Sequence, residues 1–184
     1  MRLYRQTVED FGLYPGLELS EEQMEKLRDA AGAMSAKMRA VRIVSASNVS
    51  RKDLENRLVR KGEHPDRARE AVEWMEDLNL LDDSRTARQI VEQCIRKGYG
   101  VARAKQALYE KQIPKELWEE VLNDYPDQTD YIVKFLRTKI TDLGDPKQVR
   151  RAVDAALRRG HSYGEVRRGL DRIGAGDEEF LEDY

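Results

Sequence analysis

The sequence has little of what a disulfide-stabilised or membrane-spanning protein needs. Among its 184 residues is one cysteine, Cys94, so no disulfide can form within the chain, and a reducing compartment is expected. No apolar run approaches the roughly 18 residues that span a membrane. The N-terminal stretch MRLYRQTVEDFGLYPG has no uninterrupted apolar segment and does not resemble a secretory signal. We therefore predict a cytoplasmic protein with no membrane partner.

Residues that commonly carry catalysis are also scarce. The two histidines, His64 and His161, stand at predicted inter-helix turns, without a cysteine or serine partner at a motif spacing. We expect turn or cap roles for both of them. Cys94 lies on the apolar side of its predicted helix, which favours a core residue over a nucleophile. The sequence predicts no active site, and we expect that the protein is not an enzyme.

Two other features resemble ligand sites only weakly. Asp82 and Asp83 are possible metal ligands, but a third oxygen donor at loop spacing is missing, so a helix N-cap is favoured. The segment Gly98-Tyr99-Gly100 resembles part of a dinucleotide-binding loop, yet no strand precedes it and the third glycine is absent. It is predicted to be a turn between helices. We expect no metal and no cofactor.

The formal net charge of −2 hides large local imbalances. Residues 37–61 hold eight Lys or Arg against two acidic residues. Basic and acidic blocks alternate three times along the chain: +6 over 37–61, −6 over 63–83, +4 over 95–111, −5 over 112–130, +4 over 144–173 and −5 over 174–184. Such patches matter more than the total for attracting a charged partner.

The charge alternation coincides with an internal repeat. Shifts of 50 and then 48 residues superpose apolar and basic positions of three segments. The superposed sets are Leu58 with Leu108 and Ala156, Lys61 with Lys111 and Arg159, Ala68 with Trp118 and Val166, Val72 with Leu122 and Leu170, and Met75 with Tyr125 and Ile173. The pattern predicts three tandem units.

Apolar spacing within each unit is helical. Over 84–97 the residues Ala87, Ile90, Val91 and Cys94 follow the i, i+3, i+4, i+7 pattern of one helix face. A leading helix over 21–32 is predicted to begin at a capping box. The remaining predicted stripes are Met34, Met38 and Val41; Leu54 and Leu58; Ala68, Val72 and Met75; Val101, Ala104 and Leu108; Leu117, Trp118, Val121 and Leu122; Ile132, Phe135 and Leu136; Val149, Ala152, Val153 and Ala156; and Val166, Leu170 and Ile173. No alternating run predicts a strand.

The sequence thus predicts an all-α fold, an elongated array of three tandem three-helix repeats (about nine helices) with a short N-terminal extension. The predicted segments are an extension over 1–19, repeat 1 with its leading helix over 20–79, repeat 2 over 80–125, repeat 3 over 126–173 and an acidic C-terminal tail over 174–184.

Four segments resemble the RecX family of bacterial regulators of the RecA recombinase: SRKDLENRLVRKG (50–62), LNLLDDSRTARQIV (78–91), RKGYGVARAKQALYEKQI (96–113) and RRGHSYGEVRRGL (158–170). They occur in the family's order, and the resemblance covers roughly residues 20–173. The chain departs from the family pattern at Gln112, where glycine is usual, and at His161, where an aromatic residue is usual.

The resemblance implies a monomeric, mainly inhibitory regulator in recombination, DNA repair and the SOS response. Such proteins lie in the groove of RecA–single-stranded-DNA filaments and restrain RecA ATPase, strand exchange and co-protease activity. The expected partners are the RecA filament and single-stranded DNA, which is bound within the filament and more weakly alone. Two alternatives are a stand-alone helical-repeat nucleic-acid-binding protein without a recombinase partner, and a protein–protein scaffold.

Basic residues are the candidates for filament or DNA contact, and the foremost are four around the middle turn: Arg96, Lys97, Arg103 and Lys105. The others are Arg51, Lys52, Arg57, Lys61, Arg150, Arg151, Arg158, Arg159, Arg167 and Arg168. The alternative for each of them is a solvated helix face. Trp74 and Trp118 are possible base-stacking residues, but Trp118 belongs to an apolar stripe, and we expect it in the core.

Overall fold

The computed structural model describes residues 3–175, and all regular structure in that range is helical, which confirms the predicted all-α class. The ten α-helices are α1 Arg5–Asp10, α2 Glu21–Ala46, α3 Arg51–Arg60, α4 Pro65–Asp77, α5 Asp83–Arg96, α6 Val101–Glu110, α7 Trp118–Leu122, α8 Thr129–Lys139, α9 Pro146–Arg158 and α10 Tyr163–Asp171. Within this range no helix has the length and apolar character to cross a membrane. The predicted acidic tail lies, from residue 176 onward, outside the described residues.

Helix α2 differs from the prediction, because the separate helices expected before and after residue 33 are one continuous helix. It begins at the predicted capping box, where Ser20 Oγ accepts from the Gln23 N–H at 3.2 Å and the Gln23 side chain accepts from the Ser20 N–H at 2.9 Å. Gly32 does not interrupt the helix. The Arg67 side chain of α4 lies where a side chain on Gly32 would stand, so glycine serves close packing at this position.

The chain divides into two compact units on either side of the Thr86–Ala87 bond. Unit 1, up to Thr86, has one core between α2, α3 and α4. From α2 this core takes Ala36, Ala40 and Ile43, and Val41 of the predicted stripe packs partly against it, whereas the predicted Met34 and Met38 are only half-buried. Small side chains let neighbouring helices approach closely, and a methionine stripe does not. The boundaries predicted for the three repeats stay a prediction.

Unit 2, from Ala87 onward, has two apolar clusters. The first lies among α5, α6 and α7 and is built around Ala87, Ile90, Val91, Leu108 and Ile113. The second lies among α8, α9 and α10 and is built around Ile132, Leu136, Val149, Ala152, Val153, Ala156, Val166 and Leu170. Each predicted stripe in these helices therefore supplies a core. The stripe over 117–122 is divided, because a short 3-10 helix, Lys115–Leu117, precedes α7.

The superposed positions of the internal repeat have the same backbone structure at the turns after α3, α6 and α9. Gly62, Gln112 and Gly160 have positive φ angles of 90°, 54° and 86°. After each of them a backbone N–H returns to a helix carbonyl, as in a Schellman turn: Glu63 to Leu58 at 3.1 Å, Ile113 to Leu108 at 3.0 Å and His161 to Ala156 at 3.4 Å. Gln112 therefore occupies a left-handed position that favours glycine.

Candidate functional site

Two helix-to-helix turns that are far apart in the sequence lie against each other in unit 2. One turn joins α5 to α6 and the other joins α9 to α10. The Gly100 N–H donates to the Arg159 carbonyl at 3.0 Å, and the Ala102 N–H donates to the Gly160 carbonyl at 3.2 Å. We call this arrangement the turn pair (residues 97–102 and 159–161). Its backbone contacts fix the positions from which several of the predicted basic side chains extend.

Glycines make the close approach of the two turns possible. A Cβ atom on Gly100 would overlap the carbonyl group of Gly160, and one on Gly160 would overlap the backbone nitrogen of Arg103. At Gly98 the Tyr131 ring occupies the space that a side chain would need, and the φ angle of 62° is in the left-handed region. The glycines of the RKGYG and RRG segments are therefore required by packing.

Arg159 holds the turn pair together. Its Nη2 donates to the Lys97 carbonyl at 2.8 Å and to the Tyr131 hydroxyl at 3.2 Å. The guanidinium carbon lies 5.0 Å from the ring centroids of both Tyr99 and Phe135, which is within the range of cation–π attraction. The guanidinium group is thus directed at protein groups, and we remove Arg159 from the proposed set of filament contacts.

His161 is buried beneath the turn pair. Its Nε2 lies 3.1 Å from the Gly98 carbonyl, which requires the proton on Nε2, and its buried Nδ1 has no partner among the described protein atoms. Burial lowers the pKa of His161, although the Gly98 carbonyl and the Glu165 carboxylate act in the opposite direction. Burial therefore favours the neutral form of the ring. The predicted turn role of this histidine is confirmed.

The predicted middle cluster surrounds the turn pair. Arg96, Lys97 and Lys105 are exposed, and Arg103 is half-buried with its Nη1 at 3.5 Å from the Glu110 carboxylate. Further predicted cations lie on the elements that carry the second turn. They are Arg150, Arg151 and Arg158 of α9 and Arg167 and Arg168 of α10, all exposed. Of these, Arg158 directly precedes the second turn, so the structure places Arg96 and Lys97 of the second predicted repeat and Arg158 of the third next to the two joined backbone segments.

Most predicted cations of unit 1 are engaged in ion pairs within that unit. The pairs are Arg51 Nη2 with Glu76 Oε2 at 3.0 Å, Lys52 Nζ with Glu55 Oε2 at 2.8 Å, and Arg57 Nη2 with Asp53 Oδ2 at 2.9 Å. Lys61 is exposed, and no ion pair of its ammonium group occurs in the described part of the chain. Lys61 is therefore the predicted unit 1 residue that is most open to a partner.

The residues considered for metal binding and nucleophilic chemistry have structural roles. Asp82 Oδ1 accepts from the Arg85 N–H at 3.0 Å and caps α5, as predicted, and His64 Nδ1 caps α4. The buried Asp83 carboxylate accepts from the Arg51 N–H at 2.8 Å, and burial raises its pKa. Cys94 is buried, which raises the pKa of its thiol and confirms its core role. Over residues 3–175 no group of three His, Cys, Asp or Glu could hold a metal ion.

Both tryptophans pack on cores. Trp118 is half-buried against the first cluster of unit 2, and its indole N–H donates to the Ile113 carbonyl at 3.1 Å. Trp74 packs partly against the unit 1 core, with Lys37 Nζ at 5.3 Å from its ring centroid. Trp118, which was expected in the core, therefore lies at the edge of the first cluster of unit 2 rather than inside it.

Comparison with known sequences identifies relatives of this chain. Residues 82–122 match the family model described as RecX, second three-helix domain. Regulatory protein RecX of Clostridioides difficile (strain 630) is 26% identical over 179 residues, which cover 93% of this chain and 83% of that protein. Regulatory protein RecX of Halorhodospira halophila is 28% identical over 144 residues, which cover 74% and 88% of the two chains. The names given to these relatives are those of regulators, not of enzymes.

Solved structures share the fold. The crystal structure of RecX from Lactobacillus salivarius superposes with a TM-score of 0.69 at 21% identity and covers 79% of this chain and 98% of that one. A second crystal structure, of regulatory protein RecX, also gives a TM-score of 0.69, at 18% identity, and the match covers 92% of this chain and 84% of that one. At these identities the likeness establishes the fold of three-helix domains.

Proposed function

We propose that this chain, as a member of the RecX family of regulatory proteins, binds RecA–single-stranded-DNA filaments and restrains RecA. The proposal places the chain in the filament groove, where it would limit RecA ATPase, strand exchange and co-protease activity. The observation that carries it is the turn pair, where exposed cations of separate predicted repeats extend from a backbone junction that cannot shift freely. Such preorganised charge suits a regular polyanionic surface.

The mechanism that we propose is occlusion and clamping. Phosphates or carboxylates in the filament groove would accept contacts from Arg96, Lys97 and Lys105, and Arg158, which directly precedes the second turn, would add a further contact. Rigidity matters because a clamp can resist the filament changes that accompany ATP turnover only if its own contact points keep their spacing. The hydrogen bonds and the Arg159 side chain that join the two turns supply that rigidity. In this mechanism the chain makes and breaks no covalent bond.

A triple charge reversal tests the role of the turn pair. Arg96→Glu, Lys97→Glu and Lys105→Glu replace exposed side chains, whereas the half-buried Arg103 is left unchanged to protect folding. The expected result is a loss of inhibition of RecA ATPase on single-stranded DNA, with at least about a hundredfold more protein needed, since several charged contacts of about 1.5–3 kcal/mol each are lost. Circular dichroism checks that the variant is folded.

The matched control reverses three exposed cations elsewhere in unit 2, Lys134, Arg137 and Lys147, and so makes the same change in net charge. It should inhibit RecA nearly as well as the parent. Equal inhibition by the parent and by the turn-pair variant would contradict the proposed role of the cluster. If the parent binds single-stranded DNA but has no effect on RecA, the stand-alone nucleic-acid-binding alternative replaces the present proposal.

A further inference from the structure

An open groove with apolar and cationic lining lies between α6 and α7 of unit 2. We call it the α6–α7 groove, and it has a volume of about 520 Å³. The side chains that line it include Val101 and Lys105 of α6, Lys115 of the 3-10 helix, and Trp118, Glu119 and Leu122 of α7. Of these residues, Lys105 is also a member of the proposed filament contacts.

The apolar lining of the groove is only partly covered by the protein itself. Val101, Trp118 and Leu122 are each half-buried. The Trp118 indole N–H already donates to the Ile113 carbonyl at 3.1 Å, so the ring has no polar group left to offer to an occupant. Because covering such side chains is favourable in proportion to the apolar area removed from water, the groove favours an occupant with apolar side chains.

The charged part of the lining is mainly positive. Lys105 and Lys115 are exposed and come from different elements, and neither ammonium group has an ion-pair partner within residues 3–175. These two cations against the Glu119 carboxylate leave the lining with a net charge of +1. An occupant that carries acidic groups next to apolar side chains would therefore contact both parts of the lining.

The chain carries such an occupant in residues 176–184, GDEEFLEDY, which we call the tail segment. Five of its nine residues are acidic and none is basic. The adjacent Phe180 and Leu181 have acidic residues directly before and after them. A second copy or another protein would have to bring a similar segment from solution, whereas a short linker holds its own segment at an effective concentration of about a millimolar. An affinity of only about 0.2 mM would then keep the groove mostly occupied.

The tail segment starts near enough to the groove to reach it. Val101 belongs to the turn pair, and α10 begins just after the turn pair and, with nine residues, is about 14 Å long. Ala175, the last described residue, is tied to the end of α10, because its N–H donates to the Leu170 carbonyl at 3.0 Å. From Ala175 the chain can extend about 17 Å to Phe180 and about 30 Å over the whole segment. This length is sufficient for Phe180 to reach the Val101 end of the groove.

We propose that the tail segment docks in the α6–α7 groove, with Phe180 and Leu181 against Trp118 and the flanking carboxylates beside Lys105 and Lys115. A docked tail segment withholds Lys105 from a filament, so the chain carries a competitor for one of its own contact sites. This regulatory consequence rests on the proposed function, whereas the docking itself does not involve RecA.

The docking test uses the full chain with Trp74→Phe, so that Trp118 is the only tryptophan left. In this background F180A/L181A should shift the Trp118 emission to longer wavelength and increase its quenching by acrylamide, because the ring becomes accessible to water. Circular dichroism checks that each variant is folded. Unchanged emission and quenching would overturn the docking.

Charge variants test the same contact from both sides. E179Q/E182Q in the tail segment and K115Q in the groove should each shift the emission in the same direction as F180A/L181A. Their combination should add little, because residues that share one contact are not additive. The control E18Q/E25Q neutralises two exposed carboxylates of unit 1 and should leave the emission unchanged. A shift that depends on protein concentration would assign the groove to the tail of a second copy and overturn docking within one chain. Quenching of Trp118 by an oligothymidylate, equal in the parent and the tail variants, would assign the groove to nucleic-acid bases instead.

A RecA assay separates the regulatory consequence from the docking. F180A/L181A should inhibit RecA ATPase at about three- to tenfold lower concentration than the parent, since the groove is no longer mostly occupied. A shifted Trp118 emission with unchanged inhibition would overturn the regulatory part of the proposal. A parent without effect on RecA would contradict the proposed function, while the fluorescence result would still decide the docking.

Discussion

Replacing Gly100 by alanine is expected to open the turn pair. The φ angle of Gly100 is −79°, which alanine adopts without strain, so the substitution tests packing alone. The added methyl group would overlap the Gly160 carbonyl and crowd the His161 backbone nitrogen. These are main-chain atoms, and they can move only if the second turn withdraws. Withdrawal would break the hydrogen bonds that Gly100 and Ala102 donate across the junction.

The cost follows from the contacts that are lost. Overpacking at a closed site costs about 1–3 kcal/mol, and each of the two backbone hydrogen bonds contributes about 0.5–1.5 kcal/mol. Alanine recovers up to about 1 kcal/mol by restricting the unfolded chain. We expect the free energy of unfolding to fall by about 2–4 kcal/mol. RecA inhibition should weaken as well, because the exposed cations would no longer keep their spacing.

Urea unfolding followed by circular dichroism measures this loss, and hydrogen exchange at the amides of Gly100 and Ala102 locates it. Gly164→Ala is the control, because no atom lies within 4 Å of the position where its Cβ would stand and the residue is inside α10. It should leave stability unchanged or raise it by up to about 1 kcal/mol. If Gly100→Ala unfolds at the same urea concentration as the parent, with the two amides still protected, the turns do not hold each other as described.

Three further predictions concern single residues. Gln112→Gly should raise the free energy of unfolding by about 0.5–1 kcal/mol in urea titrations, because glycine adopts a φ angle of 54° without the strain that glutamine has there. Unchanged stability would mean that the glutamine side chain offsets that strain. His161 has a lowered pKa in the folded chain, so the unfolded chain binds a proton more readily, and the free energy of unfolding should fall as the pH decreases below about 6.5. Unfolding measured from pH 7.5 to 5 should show a smaller loss of stability in His161→Phe, and parallel stability curves for the two proteins would refute the assignment. Arg159→Lys keeps the charge but loses the planar donor fork, and thermal unfolding should report a loss of about 1–2 kcal/mol, which a parental melting temperature would contradict.

Helices and their buried faces could be predicted from the sequence because both depend on local spacing. Leu58, Leu108 and Ala156 are buried at corresponding places, and the shifts of 50 and 48 residues superpose turns in which the same position has a positive φ angle. The predicted break between two helices near residue 33 was wrong, because the glycine before it was taken as the end of a helix. Glycine weakens a helix on average, but at Gly32 a contact from Arg67 makes its small size useful, and α2 continues.

The turn pair could not be predicted, because hydrogen bonds between residues some 60 positions apart have no periodicity to detect. The two glycine-containing basic turns were visible in the sequence, but nothing local indicated that they meet. For the same reason Arg159 was grouped with surface cations, since the aromatic rings around it come from α8 and the first turn.

Co-sedimentation tests the central claim most directly. The chain is mixed with RecA–single-stranded-DNA filaments, with single-stranded DNA alone and with RecA alone, and the pelleted fraction is measured across a range of salt concentrations. We predict that the chain pellets with filaments at concentrations where little pellets with DNA alone, and that this binding weakens steeply as salt rises because counterions are released. A pelleted fraction that is the same for filaments and for DNA alone would contradict the account.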